Sequence, residues 1–207
     1  KVVVTQDQNI CYGAFNGCSS LEEIVLPETG LEAIDDLSFA GCESLKSIIV
    51  PSSVTFLGEE AFAMCFELEE VIFEVSEQTG KTTILGIGVN AFKYCQSLTS
   101  ITIPDTVKTI GYGAFSGCLS LEELTIPFVG INGELSNTRE SDGSALFGDM
   151  FGSEALYYYE LSSVTGLWEI SKSGIFDVVN FMPVSQRAND GLVAGKYMIP
   201  VKLRTVN

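Results

Sequence analysis

Carboxylates and thiols are the side chains of this sequence that could act in catalysis or bind a ligand. Its 207 residues contain 27 Asp and Glu, 6 Cys and no His. Without histidine, neither a Ser-His-Asp triad nor a Cys-His pair can form. Paired carboxylates for glycoside hydrolysis, or a Ser-Lys arrangement, would remain. No carboxylate lies in an apolar stretch that would single it out as a general acid, so we expect a non-catalytic protein.

The carboxylates are arranged as adjacent pairs that recur along the chain. Two neighbouring positions of a repeating motif read, in order, Glu22-Glu23, Lys46-Ser47, Glu69-Glu70, Thr99-Ser100 and Glu122-Glu123. Glutamates thus alternate with a lysine or with neutral residues. Such an arrangement could keep the protein soluble, or it could recognise a basic partner. Both interpretations depend on which secondary-structure elements hold the pairs.

The pairs belong to the motif Ala-Phe-x-x-Cys-x-x-Leu-x-x followed by an apolar residue, which occurs five times with Ser38 replacing Ala once. Its phenylalanines, 24, 23, 30 and 23 residues apart, are Phe15, Phe39, Phe62, Phe92 and Phe115. A fixed period in the twenties with the spacing L-x-x-L-x-L indicates a solenoid in which each copy forms one coil. We expect the phenylalanines to form one buried row.

Each copy predicts one strand. In the fifth copy Leu124 and Ile126 alternate with Thr125, so the two apolar side chains share the inner face and Thr125 points outward. The strand ends at a proline in four copies, because proline has no N–H for a strand ladder: Pro27, Pro51, Pro104 and Pro127. The glutamate pairs therefore lie on the outward side, at the start of each strand.

The rest of each coil is predicted from shorter signals. A second apolar position precedes each phenylalanine by five residues and is followed in three copies by Gly58, Gly88 or Gly111. These glycines predict a tight bend or a positive φ angle. Alanine and cysteine, four residues apart in the motif, predict a single helical turn that buries both.

The third copy carries seven residues more than its neighbours and has Glu74 where others have proline. We expect its strand to continue, turn through residues 76–80 and return through residues 82–85, as a protruding hairpin-like loop near 75–82. The predicted organisation is a five-copy solenoid over residues 1–127. Residues 128–207 are interpreted as an irregular connector and capping segment that ends in a partial repeat strand.

Residues 153–196 concentrate aromatic side chains outside the repeats, which we interpret as a cap over the open end of the solenoid rather than as a recognition surface. They include Tyr157, Tyr158, Tyr159 and Trp168. At the chain ends, residues 2–4 and 205–206 look like strand remnants. We therefore expect an excised piece, or a mature form, of a longer protein.

The phrase Ile110-Gly-Tyr-Gly-Ala-Phe-Ser-Gly-Cys-Leu-Ser-Leu-Glu-Glu-Leu-Thr-Ile-Pro127 resembles the BspA-like (Treponema-type) leucine-rich repeats of bacterial surface proteins. The resemblance covers residues 10–127. It implies a secreted or surface-anchored bacterial protein, often assigned to adhesion or host-protein binding, with no active site and no cofactor. The expected fold class is an α/β-type repeat solenoid, with a parallel strand ladder on one side and short helical or irregular connections on the other.

The net charge and the cysteine pattern limit the kinds of partner and ligand that this chain could bind. The net charge of −16 would repel nucleic acid and an anionic membrane surface. No apolar run approaches the roughly 20 residues of a membrane span, so we expect no membrane insertion.

Five cysteines occupy equivalent positions in successive copies and are interpreted as buried structural thiols, while Cys11 has no obvious partner. The absence of histidine and of a short Cys-x-x-Cys pair argues against metal binding.

The outward face of the strands is the usual binding surface of such repeats. If this chain binds a host or neighbouring protein, we expect a basic partner to contact Glu22, Glu23, Lys46, Glu69, Glu70, Glu122 and Glu123. The same glutamates could simply keep the sheet soluble and in register. Two alternatives stay open: a passive spacer in a larger surface protein, and a carbohydrate-active β-helix that uses paired carboxylates.

Overall fold

The computed structural model describes residues 1–6 and 8–127 in full and, beyond them, the backbone of five further strands. The described repeats form a stack of coils, each contributing two short strands. In chain order the strands are β1 Val2–Val3, β2 Asn9–Ile10, β3 Ile24–Val25, β4 Ala33–Ile34, β5 Ser47–Val50, β6 Phe56–Leu57, β7 Glu70–Phe73, β8 Gly86–Ile87, β9 Ser100–Thr102, β10 Thr109–Ile110 and β11 Glu123–Thr125.

The odd-numbered strands form the ladder that the leucine-rich spacing predicts, in three separately hydrogen-bonded groups. Strand β1 pairs with β3, β5 with β7, and β9 with β11, all in parallel. The inward residues of neighbouring coils are directly paired, as for Ile48 with Val71 and Ile101 with Leu124. The pairing of β1 with β3 also confirms that residues 2–3 form a strand of the repeat ladder.

The even-numbered strands form a second parallel ladder, where the sequence predicted only a second apolar position in each copy. It is one continuous five-stranded sheet in the order β10-β8-β6-β4-β2. Ile10, Ile34 and Leu57 lie in register within it, followed by Ile87 and Ile110. The two ladders form two sides of the coil, and the core lies between them.

The core consists of rows of equivalent side chains that run from coil to coil. The five phenylalanine rings are stacked with centroids 5.2, 5.2, 5.5 and 5.9 Å apart and planes within 2–6° of parallel. Phe39, Phe62, Phe92 and Phe115 are fully buried, while Phe15 in the first coil is partly buried. A further row, three residues before the buried residue of each second-ladder strand, was not predicted: Leu31, Val54, Ile84 and Val107.

No helix occurs within residues 1–6 and 8–127, so the predicted helical turn between alanine and cysteine is not confirmed there. Backbone N–H groups instead alternate between a carbonyl three residues earlier and a carbonyl of the next coil. In the second coil, Ala40 donates to Leu37, Gly41 to Ala63 and Cys42 to Phe39. The helical part of the α/β description is therefore not confirmed, whereas the parallel strand solenoid is.

The predicted role of Gly58, Gly88 and Gly111 also needs correction. None of them has a positive φ. A Cβ atom on Gly88 would lie 2.5 Å from the carbonyl carbon of Gly58, and one on Gly111 would lie 2.4 Å from the Val89 nitrogen. Glycine is required there because the backbones of neighbouring coils approach each other closely.

The insertion in the third copy protrudes but does not form the expected hairpin. Strand β7 ends at Phe73, the same place at which β5 ends, although Glu74 replaces the proline. The loop closes when the Ser76 N–H donates to the Lys81 carbonyl at 2.9 Å. The returning segment then bonds to the preceding coil, from Thr83 to Ser52 and from Leu85 to Thr55, rather than back to β7.

Beyond residue 127 the described strands are β12 Tyr159–Leu161, β13 Trp168–Ile170, β14 Phe181–Arg187, β15 Val193–Pro200 and β16 Thr205–Val206. Strands β12 and β13 pair antiparallel, as do β14 and β15, and β16 joins β11 in parallel. The partial repeat strand predicted at the chain end is thus β16. The predicted aromatic cap depends on side chains outside the described residues. Among the described residues, no helix has the length and apolarity that crossing a membrane requires.

Candidate protein-binding strip on the first strand ladder

The first ladder brings the seven predicted site residues together on one face, which we call the acidic strip: Glu22, Glu23, Lys46, Glu69, Glu70, Glu122 and Glu123. Register places Ser47 opposite Glu70 and Ser100 opposite Glu123, as the repeat alignment predicts. The first residue of each pair is joined to its equivalent in the preceding coil by a backbone hydrogen bond. The Glu69 N–H donates to the Lys46 carbonyl, and the Glu122 N–H donates to the Thr99 carbonyl. All seven side chains are exposed except that of Glu122, which is half-buried.

Charge along the strip follows a two-coil period. The carboxylate pairs occupy coils one, three and five, and the uncharged or basic pairs occupy coils two and four. Neighbouring strands lie ~4.8 Å apart, so the carboxylate pairs are separated by roughly twice that distance. At about 0.15 M salt, charges more than roughly 8 Å apart are largely screened, and the strip is tolerated without a counter-charge in every coil.

Lys1 is a member of the strip that the sequence interpretation missed. Since Val2 pairs with Ile24, the residue before it lies opposite Glu23. The Lys1 ammonium contacts the Glu23 carboxylate at 2.8 Å, an exposed ion pair worth at most about 1 kcal/mol. Extending the register of residues 2–4 by one residue would have found it.

A row of exposed apolar side chains runs beside the carboxylates on the same face. Its members, the apolar row, are Val3, Val25, Ile49 and Ile72, with exposed fractions of 55, 41, 48 and 40%. Val3 pairs with Val25 and Ile49 with Ile72. In coils four and five the equivalent positions are Thr102 and Thr125, which also pair. The strip therefore has an acidic margin next to an apolar one.

The cysteines form a second row of reactive residue types, but their geometry is structural. Each buried thiol donates to the carbonyl of the preceding coil's phenylalanine, from Cys42 to Phe15, Cys65 to Phe39, Cys95 to Phe62 and Cys118 to Phe92, at 3.2–3.3 Å. Burial raises the pKa of Cys42 and Cys118 from 9.0 to about 12, and raises those of Cys65 and Cys95 as well. These thiols stay protonated and unreactive near neutral pH.

Metal chemistry has no support in the described part of the chain. No group of three or more Cys, Asp or Glu side chains within it could hold an ion. The exposed cysteines, Cys11 and Cys18, form no disulfide there.

The two parallel ladders, the stacked phenylalanines and the hydrogen-bonded cysteines define a leucine-rich-repeat solenoid. The chain belongs to the family described as BspA type leucine rich repeat region, which it matches in six copies over residues 4–86 and 76–132. This repeat family suggests a protein-binding or structural role, and its members are generally non-catalytic.

Solved structures with the same fold support this assignment. The chain is similar to the Treponema pallidum leucine rich repeat protein TpLRR, with 30% identity and a TM-score of 0.54 over 61% of this chain and 57% of that one. It is also similar to a leucine-rich repeat protein from Bacteroides ovatus, with 32% identity and a TM-score of 0.53 over 61% and 34% of the two chains. The matched region thus spans less than two thirds of either protein. No curated protein matches the sequence.

Proposed function

We propose that this chain is a non-catalytic protein-binding or adhesion module of a secreted or surface-anchored bacterial protein. Its partner, a host protein or a neighbouring bacterial protein, docks on the acidic strip. The family resemblance supports the extracellular location, and the six glutamates against Lys1 and Lys46 support a partner with a basic surface.

The observation that favours binding over a passive spacer is the apolar row. Solubility alone explains exposed glutamates, since a large net charge keeps a protein dispersed. It does not explain why Val25, Ile49 and Ile72 point outward beside them. An exposed apolar row flanked by charges of one sign is typical of a recognition surface.

The carbohydrate-active β-helix finds less support. It requires more than one strand in each coil, and the second ladder meets that condition. It also requires two carboxylates in a cleft. Glu28 and Glu32 line an open depression at the N-terminal end of the stack, but both are exposed. Neither lies in the water-excluded setting in which a carboxylate acts as a general acid.

Charge reversal on the strip tests the proposal. The variant Glu22→Lys, Glu70→Lys, Glu123→Lys is compared with Glu28→Lys, Glu59→Lys, Glu77→Lys, which makes the same change in net charge at exposed positions off the strip. Each protein is used as bait for extracellular matrix and serum proteins at about 0.15 M salt. We expect the strip variant alone to lose a partner that wild type captures.

Both variants should unfold at nearly the wild-type temperature, because exposed substitutions usually change stability by less than about 0.5 kcal/mol. The control variant shows whether net charge alone governs capture. Equal capture by wild type and the strip variant would contradict the proposal and favour a spacer.

A further inference from the structure

We infer that the segment recognised by the acidic strip is a basic amphipathic α-helix that lies along the solenoid axis, across the strands, with one helical turn over each coil. This inference rests on the proposed binding function and adds the chemistry and the shape of the partner. The spacing of the coils, the small tilt between them and the two kinds of side chain on the strip carry it.

The coil spacing is close to the pitch of an α-helix. Neighbouring strands of a ladder lie ~4.8 Å apart, and the phenylalanine rings of successive coils are 5.2–5.9 Å apart. An α-helix rises about 5.4 Å per turn, within roughly 0.6 Å of these spacings, so side chains one turn apart lie near equivalent residues of successive coils. An extended segment repeats on one face every ~6.8 Å and would lose register by about 1–2 Å at each coil.

Successive coils tilt little along the phenylalanine row. Neighbouring ring planes deviate from parallel by only 2–6°. A straight helix of a few turns is therefore a better match to this stack than a strongly curved segment.

The apolar row provides the contact for the apolar stripe of such a helix. Val25, Ile49 and Ile72 recur once per coil, which is the interval of helix positions i, i+3 or i+4, and i+7. Strand propensity alone does not account for these residues. Threonine is equally at home in a strand and occupies the same position in β9 and β11, as Thr102 and Thr125.

The carboxylates specify where the helix is basic. Pairs occur in coils one, three and five, a repeat of roughly 10 Å, which is close to two helical turns or about seven residues. We therefore expect Lys or Arg at every seventh position on one flank of the helix. Opposite Lys46 the helix should carry an acidic or neutral residue. A second copy of this strip is a poor electrostatic match, because it offers only Lys1 and Lys46 to six glutamates.

The test uses a synthetic helical peptide of roughly 18 residues, with leucine once per turn and lysine at three positions about seven residues apart on the flank. A second peptide has the same composition but distributes the lysines over all faces. A third replaces the central residue by proline, which breaks the helix. Binding is measured by fluorescence anisotropy at about 0.15 M salt, and helix formation by circular dichroism.

We expect the first peptide to bind and to gain helicity, and the other two to bind at least about tenfold more weakly. Substituting Val25→Thr, Ile49→Thr and Ile72→Thr in the protein should weaken binding by about tenfold, since each change removes apolar contact while keeping the residue type of coils four and five. The charge-reversed strip variant should lose the lysine peptide and bind its glutamate counterpart.

Equal binding of the three peptides, or no effect of the threonine substitutions, would overturn the inference. The two proposals fail separately. Capture that depends on the strip, together with no binding of the helical peptide, leaves the proposed function intact and excludes a helix. Capture that is insensitive to charge reversal excludes the proposed function itself.

Discussion

At the scale of the residue, the coil depends on backbone conformations that few side chains favour. Two positions in every copy have a positive φ: the residue before the alanine and the residue before the cysteine. In the second set, three copies have glycine, but Met64 and Tyr94 adopt φ angles of 59° and 64°. An L-residue in this region costs about 1–2 kcal/mol, because its Cβ crowds the following carbonyl oxygen.

We predict that Met64→Gly is more stable than Met64→Ala by about 1 kcal/mol. Both substitutions remove a largely exposed side chain, but only glycine removes the Cβ that is strained at this φ. Urea denaturation of the two variants measures the difference. Equal midpoints would show that the turn relaxes around the Cβ and that the left-handed conformation carries no cost here.

At the scale of the element, the first ladder and its strip followed from the sequence because their signals are local and repeated. Alternation of Leu124, Thr125 and Ile126 reports the inner face of a strand directly. Once copies are aligned on their phenylalanines, the register of Glu70 with Ser47 follows without further information. The stacked phenylalanine row is confirmed for the same reason.

Other features could not be predicted because their signals are too short or have a second explanation. Strands of two residues, such as Ala33–Ile34 in β4, are too short to show alternation. The left-handed positions are hidden where Leu37 or Met64 replaces glycine. Alternation predicts that Ile49 and Ile72 point outward, but strand propensity also explains apolar residues there, so only the structure shows how far they are exposed.

The backbones of coils three and four approach each other closely at Gly88. A Cβ there would lie 2.5 Å from the Gly58 carbonyl carbon and oxygen and 2.7 Å from the Glu59 nitrogen. Because these are backbone atoms, coils three and four would have to separate. We expect Gly88→Ala to destabilise the protein by about 3 kcal/mol or more.

Gly80→Ala is the matched control for this substitution. Gly80 lies in the loop of the third copy with open space around it and a φ of 65°. Its substitution should cost only about 1–2 kcal/mol, from backbone strain. Urea denaturation compares the two variants. Equal destabilisation would mean that the coils adjust their spacing without a large cost and that the close approach is not what requires glycine.

At the scale of the whole molecule, the coils are coupled by rows that cross them, and the thiol row makes this coupling sensitive to pH. In a solenoid each coil contacts only its neighbours, so stability is a sum of coil and interface contributions. Each thiol from Cys42 to Cys118 bonds to the preceding coil and is therefore part of an interface. Ionising these thiols requires that the interfaces open.

We predict that the free energy of unfolding falls as pH rises above about 9. The pKa of Cys42 and of Cys118 rises from 9.0 in the exposed thiol to about 12 in the fold, because burial disfavours the thiolate. Between these values the unfolded chain has lost protons that the folded chain retains. The stabilisation is thus complete below pH 9 and is lost between pH 9 and 12, by about 1.4 kcal/mol per pH unit for each buried thiol.

Urea denaturation between about pH 9.5 and 10.5, in the presence of a reducing agent, measures this slope. Cys118→Ala should lower it by about 1.4 kcal/mol per pH unit relative to wild type, since one thiol fewer ionises on unfolding. Cys18→Ala, which removes an exposed cysteine, is the matched control. A Cys118→Ala slope equal to that of wild type would show that this thiol ionises without opening the stack, and its bond to the Phe92 carbonyl would then not couple the coils.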